Sequence, residues 1–201
     1  MFEIITLDNS AYWDKIVRSF AQYDIYYLSG YSKGFHIHGD GIPLLLYYHD
    51  SNIRGICVMM KRDISQNEYY KGKLETGKWF DIVTPYGYGG FIFEGNINED
   101  SIQRFNECYC IKLKEENIVS VFVRFHPQLR NAEPFRIISE VIDLGKTIEM
   151  DLKSEEVIWN NIIPKNRTAI RKSVKNGISI KHGKDLSLFD KFMEIYNGTM
   201  D

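Results

Sequence analysis

The stretch "IPLLLYYHDSNIRGICVMMKRDI", residues 42–64, decides how the first half of the chain is read. Two apolar runs flank the polar tetrad "HDSN". Each run has the length of a strand, and the tetrad is rich in turn formers, so the segment predicts two strands joined by a turn. A sheet built around it needs cover. Upstream, "FEIITL" alternates as a strand, and Asp8, Asn9 and Ser10 offer caps for a helix over 11–21. "YDIYYLSGYSKGF" predicts a second helix, loosened by Gly30 and Gly34. Downstream, "KWFDIVTPYGYGGFIF" reads as a strand interrupted by a glycine loop. Ile102, Phe105, Tyr109 and Leu113 recur at helical spacing in "NEDSIQRFNECYCIKLKEEN". "IVSVFVRFHP" predicts a strand, and "VIDLGKTIEMDL" a further one or two.

This order, β-α-α-β-β-β-α-β-β, predicts a mixed α/β fold: a mixed central sheet, largely antiparallel in its first half, flanked by helices. No glycine-rich phosphate fingerprint of the dinucleotide or P-loop kind follows a strand. After residue 146 the pattern changes. "SEEVIWNNIIPKNRTAIRKSVKNG" predicts a helix broken at Pro164, "ISIKH" a strand, and "DLSLFDKFMEIYNGTM" a helix. Both "IITLDNSAYWDKIVRSF" and "ISIKHGKDLSLFDKFMEIY" run strand, polar cap, then an aromatic-Asp-Lys step into a helix. The expected organisation is therefore a domain over 1–146 and the start of a second, similar unit over 147–201.

With 201 residues, 44% of them hydrophobic, the chain can bury a sizeable core. Its net charge of −2 excludes a general polyanion binder. "MFEIITLDNS" has no basic leader, no window reaches the length of a membrane span, and the cysteine count of 3 is odd. These features predict a cytoplasmic protein without membrane insertion. Cys108 and Cys110 lie two apart in a predicted helix and make a poor metal pair. His36 and His38, on one side of an expected extended stretch, lack further ligands nearby, so no metal is predicted.

Two segments carry candidate chemistry. In "PKNRTAIRKSVKNG", Lys165, Arg167, Arg171, Lys172 and Lys175 stand without an acid among them; setting those cations aside leaves −7 on the rest of the chain. On a helix Arg167, Arg171 and Lys175 share a face, and Pro164 suits the first helical position. Such a run is either the solvated face of an amphipathic helix or a phosphate site built on arginine forks. In "DIVTPYGYGG", residues 81–90, three glycines permit positive φ and close approach, and Tyr86 and Tyr88 can stack or hydrogen-bond. Tyr86, Gly87, Tyr88 and Gly89 either hold a sugar or base, or make a bulge whose tyrosines cover the core edge.

Four segments in order, "DIYYLSGY" (24–31), "DIVTPYGYGG" (81–90), "WNNIIPKNRTAIRKSVKNGISI" (159–180) and "MEIYNGTMD" (193–201), resemble the Fem-type branch of the GNAT acyltransferase superfamily. The resemblance implies a GNAT-like first domain and the beginning of a second one, with a substrate cleft. It implies transfer of an acyl group to the amine of a nucleotide-linked amino sugar or cell-envelope precursor. The glycine-tyrosine loop would line the cleft, and Lys165, Arg167 and Arg171 would meet the phosphates. Acyl-CoA is the implied donor. The usual pyrophosphate turn of that superfamily, R/Q-x-x-G-x-G/A, is not found, so the donor site is expected outside this chain. The chain alone is expected to lack turnover, and its catalytic residue is unknown. Members that use aminoacyl-tRNA carry a helical arm not visible here, which makes tRNA the alternative donor; a non-catalytic domain binding an anionic ligand or a partner is the other alternative. The apolar residues of the second unit need cover, expected from the first domain, from a second copy of the chain in a homo-oligomer, or from the remainder of a longer protein.

Overall fold

The computed structural model describes residues 1–200 and divides into two compact units, Met1–Gly145 and Lys146–Asp201. The first is mixed α/β. Its elements are β1 (Phe2–Thr6), α1 (Ser10–Arg18), α2 (Ser29–His38), β2 (Ile42–His49), β3 (Ile53–Asp63), β4 (Phe80–Val83), β5 (Ile92–Gly95), α3 (Glu99–Glu115) and β6 (Ile118–Phe122). The hairpin β2–β3 is its centre, pairing Ile42 with Lys61 through His49 with Arg54. Asp50 closes the turn by accepting from the backbone N–H of Asn52 and Ile53, each at 2.7 Å. β1 adds antiparallel to β2.

Alternation along the hairpin sends side chains to two apolar layers. Leu44, Leu46, Tyr48, Cys57 and Met59 join Ile102, Phe105 and Tyr109 of α3 on one face. Leu45, Ile56 and Val58 join Trp13, Ile16 and Val17 of α1 and Tyr27 on the other. Helices thus cover both faces. α3 starts on a capping box in which Asn98 and Ser101 satisfy each other's backbone N–H. α1 ends at Arg18, short of the expected residue 21, because Ser19 folds its hydroxyl back to the Ile16 carbonyl at 2.7 Å.

The outer edge of β3 is shared. β4 pairs with its far end, Met60–Asp63, and β5 with its near end, Ile53–Ile56. Between these the sheet splits, and residues 84–91 cross the split. β6 then lies parallel to β4, from Phe80 opposite Ile118 to Val83 opposite Phe122.

The second unit contains α4 (Glu155–Asn161), α5 (Pro164–Lys175) and α6 (Leu186–Met200), with no buried residue in any of them. Ser154 caps α4, Pro164 opens α5, and Gly177 at φ 73° follows its end. Two expected strands are absent. "VIDLGKTIEMDL" is irregular, with Leu144 92% and Ile148 100% exposed, and "ISIKH" is irregular, with Ile180 91% exposed. A strand exists only by pairing, and no described strand lies beside either segment. The expected extended stretch at His36 and His38 is instead the last turn of α2, so the two rings do not share a side.

Candidate functional site

The glycine loop is built by its own chain. Gly87 sits at φ 103°, and a Cβ there would collide with the Tyr26 ring. At Gly89 a Cβ would meet the Thr84 methyl at 2.8 Å; at Gly90, φ 89°, it would meet Phe125 at 2.7 Å and Asn131 at 3.0 Å. The loop is then sewn to its neighbours. The Gly89 N–H donates to the Arg124 carbonyl at 2.8 Å, and the Asn131 amide donates to the Gly89 carbonyl at 2.8 Å. The Tyr27 hydroxyl donates to the Gly90 carbonyl at 2.8 Å, and Asn131 Oδ1 accepts from the His126 backbone at 2.9 Å. Burial above all pushes the Tyr27 hydroxyl well up from its ordinary value, so it stays a neutral donor. The Leu129 N–H donates to Nδ1 of buried His126, whose Nε2 lies 3.3 Å from an Asp24 carboxylate oxygen.

Beside this rigid loop the surface opens. Where β4 and β6 end, a cavity of about 330 Å³ is lined by Arg62, Val83, Thr84, Tyr86 and Arg124, among others. A wider one of about 730 Å³ shares Arg62, Val83, Thr84 and Tyr86 and extends over Gly30, Tyr31, Gly34 and Phe35 of α2 to His38 and Asp40. Together they form one cleft. Its rims are tied by the Tyr31 hydroxyl, which donates to the Tyr86 carbonyl at 2.9 Å.

Four features of the cleft bear on chemistry. Arg62 is held by Asp81, its partner in register, through two hydrogen bonds of 2.9 and 2.7 Å. The Arg124 backbone is pinned by Thr84 and Gly89, while among the described residues its exposed side chain makes no ion pair or hydrogen bond. Gly30 and Gly34 lie four apart on α2, and a Cβ on either would meet nothing within 4 Å. Each glycine costs a helix about 0.5–1 kcal/mol relative to alanine. At Gly87, Gly89 and Gly90 the chain itself forbids a side chain; at Gly30 and Gly34 it does not. His38 Nδ1 lies 3.0 Å from an Asp40 carboxylate oxygen, the one histidine pair in the cleft lining.

Of the sequence candidates in the loop, Tyr86 lines the cleft and is 75% exposed. Gly87 and Gly89 are occupied by Tyr26 and Thr84, and Tyr88 packs its ring 5.5 Å from His126 and 6.1 Å from Tyr26. Lys165, Arg167 and Arg171 are in the second unit on α5. Arg171 stacks over the Trp159 ring at 5.1 Å, and among the described residues no acid pairs with any of the three. Sequence reasoning missed Arg62, Arg124, Gly30 and Gly34 as cleft residues. The local signal existed only for the glycines, which stand in a helix that gains nothing from them.

Burial pushes the Cys57 thiol far up, which makes it inert, and among the described residues no cluster of His, Cys, Asp or Glu suits a metal ion. Comparison of the chain with protein-family models, curated proteins and solved structures gave no match.

Proposed function

We propose that this chain takes part in N-acyl transfer to the amine of a nucleotide-linked amino sugar or cell-envelope precursor, and that the cleft of its first unit holds that acceptor. The reading draws its chemistry from the resemblance of the four segments to the Fem-type branch of the GNAT superfamily. One structural observation supports it: an open cleft of about 730 Å³ joined to one of about 330 Å³, with tyrosines and glycines along one part and guanidinium groups at the other. That volume suits a sugar with an attached phosphate. The aromatic and backbone surfaces suit the ring, and the guanidinium groups suit the anion.

On this reading the donor is acyl-CoA, entering as a co-substrate, and no residue of this chain is assigned to it. The acceptor amine must shed a proton before it attacks. We assign that role to His38, which pairs with Asp40 in the lining of the wider cavity. Calorimetric titration of the chain with a UDP-linked amino sugar and with the free amino sugar tests the acceptor assignment. Binding of the nucleotide-linked form in clear preference is the expected result; no binding of either form overturns it.

A further inference from the structure

We infer that the cleft is divided in two: Arg124 with Arg62 takes one singly charged phosphate of a nucleoside-diphosphate sugar, and the bare backbone of α2 at Gly30 and Gly34 takes the neutral ring beside it. The inference rests on the reading above that this cleft holds the acceptor, and adds which residues grip which part.

The oxyanion end follows from strand pairing. β4 stands between β3 and β6, so Arg62 of β3 and Arg124, just past β6, reach the same cavity from either side of Val83 and Thr84. Arg62 is already neutralised by Asp81, which holds it through Nε and Nη2 and leaves its other N–H groups available. Among the described residues no acid pairs with Arg124. Its backbone N–H donates to Thr84 Oγ1 at 3.1 Å and its carbonyl accepts from Gly89 at 2.8 Å, so the strand end that carries it is fixed. Arg62, Asp81 and Arg124 together sum to a single positive charge, and no other charged residue lines the smaller cavity. Arg124 is exposed, so its guanidinium can turn onto an anion in the cavity without giving up a protein partner. A singly charged phosphate matches that net charge, and each phosphate of a sugar-linked diphosphate carries one. The planar fork of arginine grips two of its oxygens.

The ring end follows from the helix. Gly30 and Gly34 are one turn apart, they line the wider part of the cleft, and the space above each is empty of protein. Tyr31 and Phe35, the next residues on, pack their rings tilted at 5.2 Å and line the same space. A ligand that lies on the helix backbone accounts for two glycines that the fold itself does not need.

The two halves are tested on the full chain with three variants. Arg124→Gln removes a guanidinium with no hydrogen-bond or ion-pair partner among the described residues, and Gly34→Ala fills the space over α2 while improving the helix. Trp159→Phe, far from the cleft in sequence and in the second unit, is the control. The probes are a UDP-linked amino sugar and inorganic pyrophosphate, read by calorimetry, with the melting temperature of each variant alongside. The expected result is that Arg124→Gln melts as the wild type does and binds both probes about ten- to a hundredfold more weakly. Gly34→Ala is expected to melt higher, to bind pyrophosphate unchanged and to bind the UDP-linked sugar more weakly. Wild-type-like binding by Arg124→Gln, or by Gly34→Ala towards the sugar, overturns the inference and leaves the acceptor reading standing. Pyrophosphate binding that depends on Arg124, with no binding of the UDP-linked sugar, keeps the oxyanion end and overturns the acceptor reading and the ring end. A chain that binds neither probe overturns both.

Discussion

The two units of this chain use similar residues to opposite effect. The first places Trp13, Phe105 and Tyr27 at 0% exposure in two layers against a sheet. The second carries Phe189, Phe192 and Ile195 on α6 at 59%, 57% and 61% exposure. Both have amphipathic helices, capped ends and a glycine in the left-handed region. What the second lacks is a surface within itself to pack against. An apolar stripe specifies that a helix must be covered but not by what, and α4–α6 show the stripe without the cover.

The largest test of this contrast is one aromatic truncation in each unit. Trp13→Ala empties a site in the layer over Val58 and Leu45 and removes the indole N–H that donates to the Tyr27 carbonyl at 2.8 Å. It should cost the first unit about 3–5 kcal/mol, as buried aromatic truncations do. Phe192→Ala should change stability by less than about 0.5 kcal/mol, as exposed substitutions do. Urea midpoints followed by hydrogen exchange in β2 and β3 measure both. Equal losses would show that α6 is buried in solution and would break the comparison.

A smaller effect separates the two units at their left-handed glycines. Gly90→Ala meets a strained φ of 89° and a collision with Phe125 and Asn131. The strain is worth about 1–2 kcal/mol and the overpacking about 1–3 kcal/mol more. Gly177→Ala, at φ 73° with nothing within 4 Å, should show only the strain, about 1–2 kcal/mol, confined to the end of α5. Thermal melts and helix content by circular dichroism would separate the two outcomes.

These contrasts also mark how far the sequence could be read. The hairpin over 42–64, α3 and α6 were legible because their signals are local: strand-length apolar runs around a turn, or helical spacing behind a cap. "VIDLGKTIEMDL" and "ISIKH" had the composition of strands but not the partners, and pairing is written elsewhere in the chain. The loop at 84–91 announced itself by its glycines, yet the reason for them lay in Tyr26, Phe125 and Asn131, which only the fold brings there. Arg62 and Arg124 were invisible as a pair. Each reads as an ordinary charge at the end of a strand, and the order β3-β4-β6 is what sets them on one cavity.

The smallest expected effect is a pH dependence that belongs to the first unit through Asp50. Burial alone would raise its carboxyl. The backbone N–H groups of Ile53 and Asn52, the Tyr48 hydroxyl and Arg104 outweigh that and hold it below its ordinary value of 3.8. A group whose folded value is depressed stabilises the fold above its unfolded value, and that contribution is lost as pH falls through the folded one. The Asp50 contribution should therefore be whole at pH 6 and decline below about pH 4. Asp50→Asn keeps an oxygen to accept from the turn but cannot titrate. Its urea midpoint should lie below the wild type's at pH 6, and the gap should narrow as the pH is lowered to 3. A gap between wild type and Asp50→Asn that stays constant from pH 6 to 3 would mean that the turn at the centre of the sheet is held by its backbone and not by this carboxylate.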